Sequence, residues 1–115
     1  MQSTLHYLEK LVAFPTVSRD SNLELIDYIA SELDVMGIAS TLIHSEDGRK
    51  ANLWATIGPP DGQGIALSGH TDVVPVEGQN WSSDPFTLTQ RGGNLLGRGS
   101  ADMKGFIAAT IAATA

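Results

Sequence analysis

The sequence predicts an α/β domain in layers, with a mixed sheet. Three observations lead there. Two segments near the start carry apolar residues at helical spacing, the middle carries short extended segments broken by turn residues, and the last twelve residues return to a helical pattern. The chain has 115 residues, 42% of them hydrophobic and 17% charged, which is a composition that builds one modest core. Residues 1–115 are read as one domain.

The first helix covers Thr4 to Ala13. Leu5, Leu8, Leu11 and Val12 form its stripe, Ser3 or Thr4 caps it, and Pro15 ends it. A second helix runs from a cap at Ser21 or Asn22 to about Met36. Leu25, Ile26, Ile29, Leu33 and Met36 are its buried stripe, and Gly37 is its stop. Ala39 to His44 and Asn52 to Ile57 read as strands around the turn Glu46–Lys50. The Gly58–Gly62 segment breaks the second strand.

A third, buried strand is expected through Ile65-Ala66-Leu67, delivering His70 and Asp72 at its C-terminal end. Phe86–Thr89 and Asn94–Leu96 read as a hairpin around Arg91-Gly92-Gly93. The last helix starts near Lys104. It ends in an apolar pattern with no capping glycine, basic last turn or polar tail, so the chain is expected to be an N-terminal fragment of a longer protein.

Composition narrows the function classes. Thirteen acidic residues against seven basic ones give a net charge of −6, the opposite of a nucleic-acid binder's usual balance. No cysteine is present, which removes disulfides, thiolate metal sites and a cysteine nucleophile. No signal-peptide pattern opens the chain and no apolar run reaches membrane-spanning length. The expected setting is the cytoplasm, without nucleic-acid or membrane partners.

His70 and Asp72 stand two apart. On an extended chain, side chains two apart share a face, so both can serve one pocket. A neutral imidazole ligates metals, and a carboxylate on its other nitrogen fixes the tautomer. The plainer reading is a His and an Asp that cap a turn. Asp102 precedes a helix in a glycine-rich loop. It reads either as an N-cap or as a carboxylate able to bridge two cations. One His and one Asp are too few for a closed metal site.

Three stretches then carry a resemblance. Ser68–Pro75, Trp81–Phe86 and Gly97–Gly105 resemble the dinuclear zinc amidohydrolases and peptidases, and Leu11–Leu23 and Gly48–Leu53 extend the likeness over nearly the whole chain. The resemblance implies the N-terminal part of a zinc-peptidase-like catalytic domain, without its lid or dimerisation domain. It implies that His70 is the ligand of one metal and Asp102 the bridge between two. Asp72 then has the catalytic task of orienting His70.

It also implies two divalent ions, zinc or cobalt, and a small-molecule N-acyl amino acid substrate. The implied reaction removes the acetyl group of N-acetylornithine, with succinyl-diaminopimelate desuccinylation as the rival. The full-length protein would be a homodimer. The general base and remaining ligands would lie beyond Ala115, leaving the fragment inactive. A cis bond after Asp102 is a further implication. The rival from another class is a non-catalytic α/β scaffold.

Other polar residues read as structural. His6 lies on the first helix and His44 at a strand end. Glu77 reads as a surface acid and Asp84 as a turn residue. Trp81 and Phe86 would pack their loop. Arg98 is expected in an ion pair. Lys104 sits at a helix start, where the dipole disfavours a cation, so a specific partner is expected.

Overall fold

The computed structural model describes residues 2–115. Helix α1 spans Thr4–Ala13, and the Ser3 hydroxyl accepts the His6 N–H at 3.2 Å, as a capping serine should. Its buried face is Tyr7, Leu8, Leu11 and Val12. Leu5 is displaced from the expected stripe and is 49% exposed, because it lies to one side of the face that those four residues define.

Helix α2 spans Leu23–Val35 and buries Leu25, Ile26, Ile29 and Leu33. Ser21 supplies the capping oxygen, accepting the Leu23 N–H at 3.1 Å. Asn22 does something else. Its side-chain amide exchanges two hydrogen bonds with the backbone of Ala51, at 2.9 and 3.0 Å, tying the helix start to the sheet.

Strands β1 (Ser40–His44) and β2 (Ala51–Ala55) form an antiparallel pair on which α2 packs. Strands β3 (Thr89–Arg91) and β4 (Asn94–Leu96) form a second pair. Gly92 and Gly93 turn between them with φ of 57° and 80°, the left-handed pair that a two-residue hairpin turn demands. The first arm begins at Thr89 rather than Phe86, because Asp84 holds Phe86 and Thr87 in a turn. One parallel bridge, Val17 to Val73, adds the second pairing sense.

The strand expected through Ile65-Ala66-Leu67 is not formed. Ile65 is 90% exposed and Leu67 62%. Among the described residues no strand pairs with this segment, and extended backbone without a ladder partner is not a strand. His70 is therefore placed by other contacts.

Helix α3 (Gly105–Thr114) lies against α1, burying Ala108 and Ile111 in the core that α1 and α2 share. A wide turn over residues 100–104 leads into it, and the Asp102–Met103 peptide bond is cis. Lys104 is completely buried and its ammonium donates to the carbonyls of Leu11 (2.8 Å) and Phe14 (2.7 Å). These carbonyls lie at the end of α1, where the helix dipole favours a cation, and each also accepts one backbone N–H, from Phe14 and Thr16. The partner expected from the sequence is thus the C-terminus of another helix. Burial pushes the Lys104 ammonium down to about 8.

Gly99 closes this arrangement. It has φ of 82°, and a Cβ there would run into the Val73 side chain. Gly99→Ala is expected to cost about 2 kcal/mol or more in urea unfolding. Gly62→Ala, at a site open to solvent, is the control and should change little.

Lys104→Met takes one of two hydrogen bonds from each carbonyl, leaving only the Phe14 and Thr16 N–H donors, and should cost roughly 1–3 kcal/mol. Its pH dependence carries a sign. Between about 8 and the ordinary 10.5 the unfolded chain holds a proton that the folded chain has released, so stability rises with pH across that window. A neutral amine still has two N–H groups for the two carbonyls. Measured against Lys104→Met, the wild-type advantage should therefore grow from pH 8 to 10.5; a flat or falling difference would contradict the burial of this group.

Candidate metal centre

The Phe14–Asn22 connection between α1 and α2 builds one side of the site. Thr16 Oγ1 donates to the Thr71 carbonyl at 2.6 Å, Val73 N–H to the Thr16 carbonyl at 2.9 Å, and Ser18 N–H to the Val73 carbonyl at 3.1 Å. Asn22 Nδ2 reaches Thr71 Oγ1 at 3.1 Å. Residues 71–73 are thereby clamped although no ladder extends through residues 65–70. From the other side, His70 N–H points at Met103 Sδ at 3.3 Å, and Gly69 leaves room for Ile107 and Phe106 of α3.

The clamp brings together three of the residues singled out in the sequence. His70 Nδ1 lies 3.0 Å from the Asp72 carbonyl oxygen and 3.1 Å from Asp72 Oδ1. Its Nε2 lies 2.9 Å from Asp102 Oδ1. Ser18 Oγ donates to Asp72 Oδ2. Asp102 makes no capping bond to α3, so the N-cap alternative fails. Its carboxylate is 86% exposed, and among the described residues Oδ2 has no hydrogen-bond partner.

This geometry has an electrostatic consequence. Both atoms facing Nδ1 are acceptors, so Nδ1 carries a proton. Nε2 then faces a carboxylate oxygen, also an acceptor. A neutral imidazole would point a lone pair at that oxygen. The contact is favourable only with a cation shared between them, either a proton on Nε2 or a metal ion. The hydrogen bond to Asp102 accordingly holds the His70 imidazolium above its ordinary 6.5, with slight burial opposing. Asp72 is held below the usual carboxylate value, first by the Ser18 hydroxyl.

In kind, an imidazole nitrogen and a carboxylate suit zinc, cobalt or manganese. In number they are short. Among the described residues no group of three or more His, Asp or Glu could hold a metal ion, and a closed site takes about four ligands. His70 and Asp102 fit as part of a donor set.

The remaining residues fall elsewhere. His6 lies in the first turn of α1 and His44 ends β1. Glu77 pairs with Arg19 on the surface. Asp84 makes its turn, accepting from Phe86 N–H at 2.9 Å. Among the described residues Arg98 makes no ion pair, contrary to expectation. Its guanidinium sits 5.1 Å from the Trp81 ring centre and donates to Gln79 Oε1, an aromatic face and an amide oxygen taking the place of a carboxylate. Ser18, Thr16 and Asn22 were not anticipated. The signal available was Thr16 and Ser18 standing two apart around Val17, two hydroxyls with one reach.

Comparison with known proteins adds to this geometry. Residues 66–115 match the sequence profile of "Peptidase family M20/M25/M40". The resemblance read from the motifs is borne out over these residues.

The chain is 42% identical to acetylornithine deacetylase of Pasteurella multocida (strain Pm70), covering 95% of this chain and 30% of the relative. It is 40% identical to succinyl-diaminopimelate desuccinylase of Acidovorax ebreus (strain TPSY), covering 98% and 31%. The crystal structure of human carnosine dipeptidase 1 superposes with a TM-score of 0.84 at 25% identity, over 96% of this chain and 27% of that one. The α/β fold class thus stands, with no lid domain in these residues. The chain spans about a third of the length of these curated relatives.

The pairing of His70 with Asp102 is testable in metal-free protein. In an NMR pH titration His70 should titrate above 6.5, and Asp102→Asn should bring it down. The imidazolium contact favours folding below pH 6.5, and that contribution is lost as pH rises through the raised value. An unshifted His70, or no response to Asp102→Asn, would remove the contact.

Proposed function

We propose that this chain carries half of the active site of a metal-dependent amide hydrolase, which removes the acetyl group of N-acetyl-L-ornithine. The observation that carries the reading is the apposition of His70 Nε2 and Asp102 Oδ1 at 2.9 Å, which calls for a shared cation. His70 and Asp102 are two of the donors, and the free oxygen of Asp102 is available to a second ion. Asp72 holds the Nδ1 proton and so keeps the Nε2 lone pair for the metal. A divalent ion held there supplies a Lewis acid for the amide carbonyl. Zinc or cobalt suits these donors.

The acetylornithine reading is supported by relatives of that name at 42% identity. Desuccinylases at 40% and 39% support a second reading, removal of the succinyl group from N-succinyl-diaminopimelate. No acid or histidine follows Asp102 in residues 103–115. The 115 residues by themselves are expected to show no appreciable turnover of either substrate.

The test uses the protein in its natural length. It is expected to hydrolyse N-acetylornithine with higher kcat/KM than N-succinyl-diaminopimelate. His70→Ala and Asp102→Ala should each lower kcat/KM by about a hundredfold or more. A preference for the succinyl substrate selects the second reading. Hydrolysis of neither, or full activity in either variant, would leave only a scaffold.

A further inference from the structure

We propose that Ser18 is a positioning residue of this centre: its hydroxyl fixes the Asp72 carboxylate in the orientation that holds His70. The inference rests on the reading of His70 as a metal donor. Three links run in series. Ser18 Oγ donates to Asp72 Oδ2, Asp72 presents Oδ1 to His70 Nδ1 at 3.1 Å, and His70 presents Nε2 toward Asp102. Among the described residues no other side chain donates to Asp72 Oδ2.

The carboxylate of Asp72 is 47% exposed. Left to water, such a side chain has several rotamers open to it, and few of them keep Oδ1 on the imidazole. A donor on the opposite oxygen removes that freedom. The Ser18 hydroxyl has one proton and two acceptors within reach, Asp72 Oδ2 and the Val73 carbonyl at 3.4 Å. The carboxylate is nearer and charged, so it takes the proton.

The fold does not need this hydroxyl. Ser18 is exposed, its N–H is satisfied by the Val73 carbonyl at 3.1 Å, and its carbonyl accepts from Lys50 Nζ. The backbone clamp therefore survives the loss of Oγ. Arg19, the next residue, does not compete for Asp72, because its guanidinium is engaged by Glu77.

The experiment measures zinc affinity by chelator competition in the natural-length protein. Ser18→Ala should weaken zinc binding about tenfold, the lower end for loss of a group that supports a ligand. Ser18→Thr keeps the hydroxyl and should bind as the wild type does. In an Asp72→Ala background Ser18→Ala should add nothing, since the serine acts only through that carboxylate. Wild-type affinity in Ser18→Ala, an equal loss in Ser18→Thr, or additive losses with Asp72→Ala would overturn the proposal. His70→Ala separates the two levels: if it binds zinc as the wild type does, the reading of the site fails; if it loses zinc while Ser18→Ala does not, only the role of Ser18 fails.

Discussion

The ammonium of Lys104 in the carbonyl end of α1 is the contact on which the rest of the site depends. It joins two stretches some ninety residues apart in the chain. On one side it holds the end of α1, at the carbonyls of Leu11 and Phe14, and with it the start of the connection that clamps residues 71–73. On the other side it fixes the turn that presents Asp102, two residues upstream. A buried lysine is expensive to desolvate. Two carbonyl acceptors and the negative end of a helix dipole offset only part of that expense, since burial still pushes the ammonium down to about 8, but they make the position specific. The same charge at the start of α3 is unfavourable for α3 itself, and the local penalty is offset by the gain at α1.

Around that anchor, small residues set distances. Gly99 lets the turn lie against Val73, and Gly69 lets α3 approach the His70 backbone. Polar side chains then replace the missing ladder. Thr16, Ser18 and Asn22 hold the 71–73 segment from the side on which a strand would pair. The outcome is an imidazole with one nitrogen satisfied and the other turned toward an open carboxylate. The chain is acidic overall, at −6, and the Asp72 and Asp102 carboxylates beside His70 favour a positive charge between Nε2 and Oδ1.

Much of the fold was legible from local rules. The apolar stripes of α1 and α2, the serine caps and the paired glycines of the second hairpin depend on neighbours within a few residues. His70 and Asp72 were legible because a spacing of two has a fixed meaning on extended backbone. What was not legible depends on partners far along the chain. Ile65 and Leu67 look like a core strand, but a strand is defined by a neighbour. Lys104 announced that it needed a partner, and only the tertiary fold supplies Leu11 and Phe14. Ser18 is an ordinary exposed serine until the chain returns 54 residues later with Asp72. Arg98 reads as the cation of an ion pair, while aromatic and amide groups took it instead.

In the proposed centre Nε2 of His70, with its proton held on Nδ1, faces a cation shared with Asp102. Long-range proton–nitrogen NMR of the His70 ring during a zinc titration of the natural-length protein tests it most directly. Nδ1 is expected to keep its proton throughout, and the Nε2 resonance to move as zinc binds. Zinc on Nδ1, or zinc bound with both His70 nitrogens unchanged, would contradict it.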